Sequence, residues 1–346
     1  MKFGTFLFTQ YQDPSKDEQG IEETLAEARL SEQLGMDAVW LAEHHFDGTC
    51  VYVDPVSFAA ALSQATKRVQ IGFAVIQTSL HHPIRLAEQL SLLDHLSRGR
   101  LIVGLGRGSM FNNYEYAAYE IDPASSRERY EEIQEILLKC WAGGRVAHHG
   151  KFWNFEIPIL RPRPFSKPHP LVVHSVVSEA STVALAKKGG PFLMAGPADA
   201  IVKRCDLYRR AMREAGHSED AIARAFAQSW AWQHVVIADS DDRAAEIGVP
   251  AFQGMMGYRA TLEANPVFGE IAKAVGPRQL PRSLVAGAPQ TVAEQLLPLR
   301  AAGIGGLILR FRIGELPPDQ ARNSLEQFVA RVAPVLREAP VAVPAK

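Results

Sequence analysis

The fold class this chain predicts is α/β, a (β/α)8 (TIM-type) barrel with insertions at its C-terminal mouth, and three observations point there. Apolar runs of strand length alternate with helical segments along most of the chain, the pattern of parallel strands joined by crossover helices. Its 346 residues, 47% hydrophobic and 22% charged, are enough for one large barrel and its core. The run Ala38-Val-Trp-Leu-Ala-Glu43-His44-His45-Phe-Asp47 leads from a strand directly into three ionisable side chains. In a parallel barrel the C-terminal strand ends share one mouth, where such groups can act on a common ligand. A pair of histidines that merely ties down a loop gives the same spacing, and adjacent histidines alone fix neither a metal site nor a base.

Taken in order, Lys2 to Phe8 predicts strand one. Ile21 to Leu34 predicts a helix with Ile21, Leu25 and Ala28 on one face, Leu30 and Leu34 as a second pair, and Gly35 as its stop. Strand two opens at Ala38. Asp54-Pro55 caps a helix to about Ala65, because proline at the first helical position gives up an N–H that has no partner there. Val69 to Ala74 is strand three, Pro83 to Ser97 a helix, Leu101 to Leu105 strand four and Arg127 to Trp141 a helix. Arg145 to Ile157 reads as a hairpin, and Pro158, Pro162, Pro164, Pro168 and Pro170 exclude a regular element after it, so about 145–170 is an insertion. Leu171 to His174, Phe192 to Ala195, Trp230 to Ile237 and Leu307 to Phe311 complete the eight strands, with helices at Ser178 to Lys188, Ala198 to Ala215 and Pro318 to Arg337. The interval of about 251–284, with Gly254, Gly257, Pro266, Gly276 and Pro281, is longer than a barrel turn and is expected to be a mobile lid. The single barrel should span 1–338, with a flexible tail at 339–346.

Composition narrows the function. A net charge of −1 excludes a general affinity for nucleic acid or anionic membranes. Cys50, Cys140 and Cys205 are few, odd in number and far apart. They form neither a disulfide framework nor a CxxC metal site, so no metal is expected, and they suit a reducing cytoplasm. No apolar stretch approaches a membrane span, and the chain goes from Met1 directly into a strand with no signal peptide, so a cytoplasmic location is expected.

Four further stretches bear on chemistry. Arg100-Leu-Ile-Val-Gly-Leu-Gly-Arg-Gly108 runs a strand into a glycine-rich turn, but a dinucleotide fingerprint counted from Gly104 needs glycine at Ser109. Either the turn simply reverses the chain, or Gly104, Gly106 and Gly108 let the backbone approach a flat ligand while Arg107 reaches a phosphate. Ser178-Glu-Ala-Ser181-Thr182 opens a helix, where hydroxyls and free N–H groups form a phosphate site or a plain cap; Glu179 must then turn outward. His81 and His82 precede Pro83 and read as structural, with His82 extended before the proline. Trp230, Trp232 and His234 share one strand face and predict packing inside the barrel.

Several of these stretches, taken together, resemble one family. Met1-Lys-Phe-Gly4, Leu34-Gly-Met-Asp-Ala-Val-Trp-Leu-Ala-Glu-His-His-Phe46, Ala87-Glu88 through Asp94-His-Leu-Ser-Arg-Gly99-Arg100, Gly104-Leu-Gly-Arg-Gly108, Gly287-Ala-Pro-Gln-Thr-Val-Ala-Glu294 and Ala302-Gly303-Ile304 are similar to the bacterial luciferase-like flavin-dependent monooxygenases over nearly the whole chain. The resemblance implies a (β/α)8 barrel that receives reduced FMN (FMNH2) from a separate NAD(P)H:flavin reductase. It also implies that O2 is activated as a flavin C4a-hydroperoxide and that a small, mostly apolar organic substrate is oxygenated by hydroxylation or Baeyer–Villiger chemistry. His44 matches the catalytic histidine and Glu43 the carboxylate beside the flavin. Ala74 and Val75 match a non-prolyl cis peptide under the isoalloxazine. Arg107, Arg127, Val176, Ser178, Glu179, Ser181 and Thr182 fall on the FMN and its phosphate, with the ligand among Ser178, Glu179 and Ser181 left open. Gly106 stands where luciferase has a reactive cysteine, which implies an enzyme that emits no light. The family also implies a homodimer formed by helices next to strands two to four, and Leu86, Leu90, Leu93 and Leu96 form a stripe on one of them. Two other activities fit the same resemblance: hydride transfer with the deazaflavin F420, or a non-catalytic flavin-binding partner subunit like the luciferase β chain.

Overall fold

The computed structural model describes residues 1–46, 48, 50–108, 113–263 and 284–341. In chain order its elements are β1 (Lys2–Phe6), α1 (Asp17–Leu34), β2 (Ala38–Leu41), α2 (Pro55–Ala65), β3 (Gln70–Phe73), β4 (Ile76–Gln77), α3 (Pro83–Ser97), β5 (Leu101–Gly106), α4 (Asn113–Ala118), α5 (Ser126–Ala142), β6 (Val146–His149) and β7 (Asn154–Ile157). They continue as β8 (Leu171–Ser175), α6 (Glu179–Lys188), β9 (Phe192–Ala195), α7 (Ala198–Glu214), α8 (Glu219–Ala227), β10 (Trp230–Ile237), α9 (Asp241–Glu263), β11 (Leu284–Gly287), α10 (Pro289–Ala301), β12 (Gly306–Arg310), α11 (Pro318–Gln327) and α12 (Ala333–Glu338). Parallel pairing runs β1-β2-β3-β5-β8-β9-β10-β12 and returns to β1, a closed eight-stranded barrel.

Two indoles fill the centre of this barrel. Trp40 of β2 and Trp230 of β10 are buried and meet edge to face with ring centroids 4.8 Å apart. Register makes room for them: Gly72 lies beside Trp40 and Gly306 beside Trp230 on the neighbouring strands. A Cβ at Gly4, Gly72 or Gly306 would come within 2.5, 2.4 or 2.3 Å of an indole. Toward the mouth, Phe6 packs edge to face on Trp232 at 5.4 Å, and Trp232 on His234 at 4.3 Å, so the expected aromatic face of β10 does point inward.

Several local expectations hold for their stated reasons. Gly35 ends α1 in the left-handed region, at φ 86°. Asp54 caps α2 by accepting from the N–H groups of Val56 and Ser57. The hairpin β6–β7 is pinned to α5, where Glu132 accepts from the backbone of Phe152 and Trp153 and from His148. The proline-rich segment has no regular element and is held to α3 by Ser166 donating to Asp94.

Other expectations are corrected. The inner face of α1 is Gly20, Thr24, Ala28 and Ser31 rather than the Ile21 and Leu25 stripe. Thr24 and Ser31 donate to Thr9 and Thr5, so hydroxyl pairs replace part of the apolar contact. Strand three stops at Phe73 and resumes as β4 after a non-prolyl cis peptide at Ala74–Val75, as the resemblance implied. The interval expected to be a lid is helical as far as Glu263, with Pro250 inside α9; residues 264–283 lie outside the described residues. The tail from Ala339 is described only to Val341. β11 is a further parallel strand on β10, and α8 and α10 are helices the sequence reading left out. In α3, Leu86, Leu90 and Leu93 are buried in the chain's own core, while Leu92 and Leu96 are exposed, so the predicted contact stripe mostly serves the barrel.

The glycines of β5 also make room for protein. A Cβ at Gly104 would sit 1.6 Å from the carbonyl oxygen of Phe73, and one at Gly106 would sit 2.5 Å from a Val75 methyl. Gly104→Ala should therefore destabilise the fold by about 1–3 kcal/mol, the usual cost of overpacking. Gly254→Ala, where a Cβ meets nothing within 4 Å, should change stability by no more than about 1 kcal/mol. Denaturant midpoints check both, and equal midpoints for the two variants would contradict the packing account.

Candidate active site at the barrel mouth

At the end of β2 the chain buries Glu43 and surrounds it with donors. Its Oε1 accepts from His45 Nε2 at 2.9 Å and His81 Nε2 at 2.8 Å, and its Oε2 from the Gln77 N–H at 2.7 Å. Burial by itself pushes the Glu43 carboxyl up, but the charge of His81 and the hydrogen bonds of His45 and His81 outweigh it and hold it down to about 2. His81 moves the other way: burial lowers it, and the nearby Glu43 carboxylate raises it further, to a value above that of an ordinary histidine.

A second buried carboxylate, Glu115 of α4, faces the same turn. Its Oε1 accepts from the His45 N–H at 2.8 Å and lies 3.5 Å from His44 Nδ1; its Oε2 accepts from Gln77 Nε2 at 2.6 Å. Gln77 Nε2 also donates to the Glu43 carbonyl, so one amide ties both acidic residues together. The neighbouring histidines diverge, as alternation along an extended segment requires. His45 turns inward to Glu43 and Tyr119, and His44 packs edge to face on Phe8 at 5.4 Å. His44 is the most open of the three histidines, with 34% of its side chain exposed against 20% for His81 and 11% for His45.

Around the corner, β5 ends at Gly106, and Arg107 makes no hydrogen bond or ion pair among the described residues. Leu105 pairs with His174 of the neighbouring β8, which continues through Val176 to the start of α6. There Ser178 and Ser181 cap the helix reciprocally, Ser181 N donating to Ser178 Oγ and Ser178 N to Ser181 Oγ. Thr182 is buried and donates to the Ser178 carbonyl. Among the described residues, nothing accepts from the first-turn N–H groups of Glu179 and Ala180. Glu179 is exposed. Arg127 is exposed and paired with Glu131 on its own helix. A Cβ at Gly104, Gly106 or Gly108 would meet Phe73, Val75, or Gln77 and Tyr116, so the absence of side chains there makes room for neighbouring protein groups.

A family model described as luciferase-like monooxygenase matches residues 1–306. The chain belongs to that family. Membership makes it a flavin-dependent monooxygenase. An uncharacterised protein of Sinorhizobium fredii, y4wF, is 32% identical over 300 residues, 86% of this chain and 85% of that protein. The solved monooxygenase RslO1 from Streptomyces bottropensis superposes with a TM-score of 0.80 at 28% identity, over 96% of this chain and 99% of that one. The oxygenating constituent of 3,6-diketocamphane monooxygenase from a Pseudomonas putida plasmid, solved with FMN, gives a TM-score of 0.78 over 97% and 98% of the chains; at 21% identity this likeness shows the fold alone.

For this luciferase-like monooxygenase, sequence reasoning missed His81, Gln77, Glu115 and Tyr119. His81 reads as structural beside His82-Pro83, yet it sits on Glu43; His82 does take the extended conformation expected of it. Gln77 and Glu115 carry no local motif. A buried Glu43 needs donors from somewhere, and that requirement is the signal that points to His81.

The linkage follows from the two shifts. Glu43, depressed to about 2, contributes stability that is complete above its ordinary value of 4.5 and lost as pH falls toward 2. His81, raised, contributes stability that is complete below 6.5 and lost as pH rises through its folded value. Relative to wild type, His81→Gln should cost roughly 1.5–3 kcal/mol below the ordinary histidine value, the range for a hydrogen bond to a charged group. The difference should shrink at alkaline pH. Denaturant titrations across pH check this, and a difference independent of pH would contradict it.

Proposed function

We propose that this protein is the oxygenase of a two-component system: it takes FMNH2 from a separate NAD(P)H:flavin reductase and uses O2 to oxygenate a small, mostly apolar organic molecule. The observation that carries this reading is His44, the most open histidine of a cluster whose two carboxylates are buried. The diketocamphane oxygenating constituent, solved with FMN, shows that a barrel of this fold can hold FMN. The same reading expects the enzyme in the cytoplasm, in keeping with three cysteines that are few and far apart, and pairs two copies through the outer face of α3, where Leu92 and Leu96 are exposed.

The residues present fit a flavin. Arg107, a cation with no hydrogen bond or ion pair among the described residues, follows the end of β5, next to β8, which leads into the N-terminus of α6, and these groups suit a phosphate. The Ala74–Val75 peptide is cis, where the resemblance puts the isoalloxazine. Ser178, Ser181 and Thr182 would shape the phosphate loop through their caps, with the backbone rather than the hydroxyls free to donate. When bound, reduced FMN supplies the electrons that activate O2. The chain's own part is to hold the anion, keep water out and manage a proton. Phe6, Phe8 and Trp232 line the barrel below the mouth with apolar surface, which keeps the site dry. His44 can give or take a proton at its ring. Glu43 is held by His45, His81 and Gln77, so it remains a fixed negative charge instead of a proton donor.

Anaerobic titration with FMNH2, FMN and F420 tests the reading. FMNH2 should bind most tightly, and Arg107→Ala should weaken it by roughly 1.5–3 kcal/mol; a preference for F420, or no effect of the variant, would contradict it. With a first substrate in hand, His44→Ala should retain FMNH2 binding but release its oxygen as H2O2. A general acid or base is worth about 10²–10⁴-fold in rate, enough for that leak to dominate. Oxygen uptake compared with H2O2 and product decides, and a fully coupled variant would remove His44 from the chemistry.

A further inference from the structure

We propose that Glu115 is a positioning residue for His44: its carboxylate accepts a hydrogen bond from Nδ1–H of the neutral imidazole and so leaves Nε2 as the ring's proton-accepting atom. The proposal rests on the reading of His44 as the group that handles protons. It begins with how the mouth divides its histidines. Glu43 has Oε1 committed to His45 and His81 and Oε2 to the Gln77 N–H. Glu115 Oε1 lies 3.5 Å from His44 Nδ1.

Glu115 is placed to hold that geometry. It is fully buried, and the His45 N–H and Gln77 Nε2 donate to its two oxygens, so the carboxylate has no freedom to turn away. The other side of the imidazole is set by Phe8, whose ring meets it edge to face. A separation of 3.5 Å is ion-pair distance in the free protein, and catalytic hydrogen bonds of this kind commonly tighten when ligands bind. A carboxylate on one ring nitrogen fixes the tautomer and raises the basicity of the other. Among the described residues, the titratable and charged groups that face this corner include Glu43 and His45 from the end of β2, Asp54 at the start of α2, Glu115 and Tyr119 from α4 and the turn after it, His81 ahead of α3, and Arg310 of β12 over the Phe8 ring.

The test uses the protein alone. In ¹⁵N-histidine spectra, with His44 assigned by its loss in His44→Ala, the neutral wild-type ring should be the Nδ1–H tautomer. In Glu115→Gln the His44 titration midpoint should fall by about one pH unit or more, a tenfold loss of proton affinity or greater. Glu115→Asp, which keeps the charge, should recover part of it. An Nε2–H tautomer in the wild type, or an unchanged midpoint in a folded Glu115→Gln protein, would overturn the proposal. Should Glu115→Gln fail to fold, the wild-type tautomer decides by itself. Because no flavin or substrate enters the measurement, its failure is distinct from failure of the monooxygenase reading, which would show as absent FMNH2 binding.

Discussion

A carboxylate taken out of water must be met by donors or by positive charge, and the mouth of this barrel buries two, Glu43 and Glu115. The surrounding turns supply those donors. Gln77 contributes its N–H and its side-chain amide, His81 its imidazole, and His45 both its imidazole and its N–H. Strand two ends, strand three resumes and α4 begins in one hydrogen-bonded unit. A mouth held in this way keeps its side chains oriented before any ligand arrives, which is what proton transfer at a fixed atom requires.

The same unit needs the backbone of strand three to come close to that of strand five. Gly104 and Gly106 permit it, because a side chain at either would strike Phe73 or Val75. Deeper in the barrel the same device recurs, with Gly72 and Gly306 beside the two central indoles. Small residues on one strand accommodate bulk on the next, so the positions of Trp40 and Trp230 fix where glycine must stand.

Much of this was legible in the chain. Barrel strands show as apolar runs, and Asp54-Pro55, Gly35 and Ser178 mark helix ends because their chemistry is local. The region between strands seven and eight was not legible: glycines and prolines in α9 mimic a loop, and β11 is only four residues long. α1 misled for another reason, since Thr24 and Ser31 bury hydroxyls by pairing them with Thr9 and Thr5, which apolar periodicity does not register. In the site, Glu43-His44-His45 stood out as consecutive residues, and Arg107 with Val176 and the start of α6 matched a pattern. His81, Gln77 and Glu115 did not, since their roles come from contacts 34 to 70 residues apart along the chain.

The central claim is that one end of the barrel holds a flavin whose phosphate is gripped by Arg107 and the start of α6, with His44 on the cofactor's side of the mouth. A crystal structure of the FMN complex tests it most directly. The account predicts the phosphate on the Arg107 guanidinium and the N–H groups of Glu179 and Ala180, the flat ring against the Ala74–Val75 peptide, and His44 beside that ring. Flavin bound elsewhere, or a phosphate held without Arg107 and α6, would contradict it.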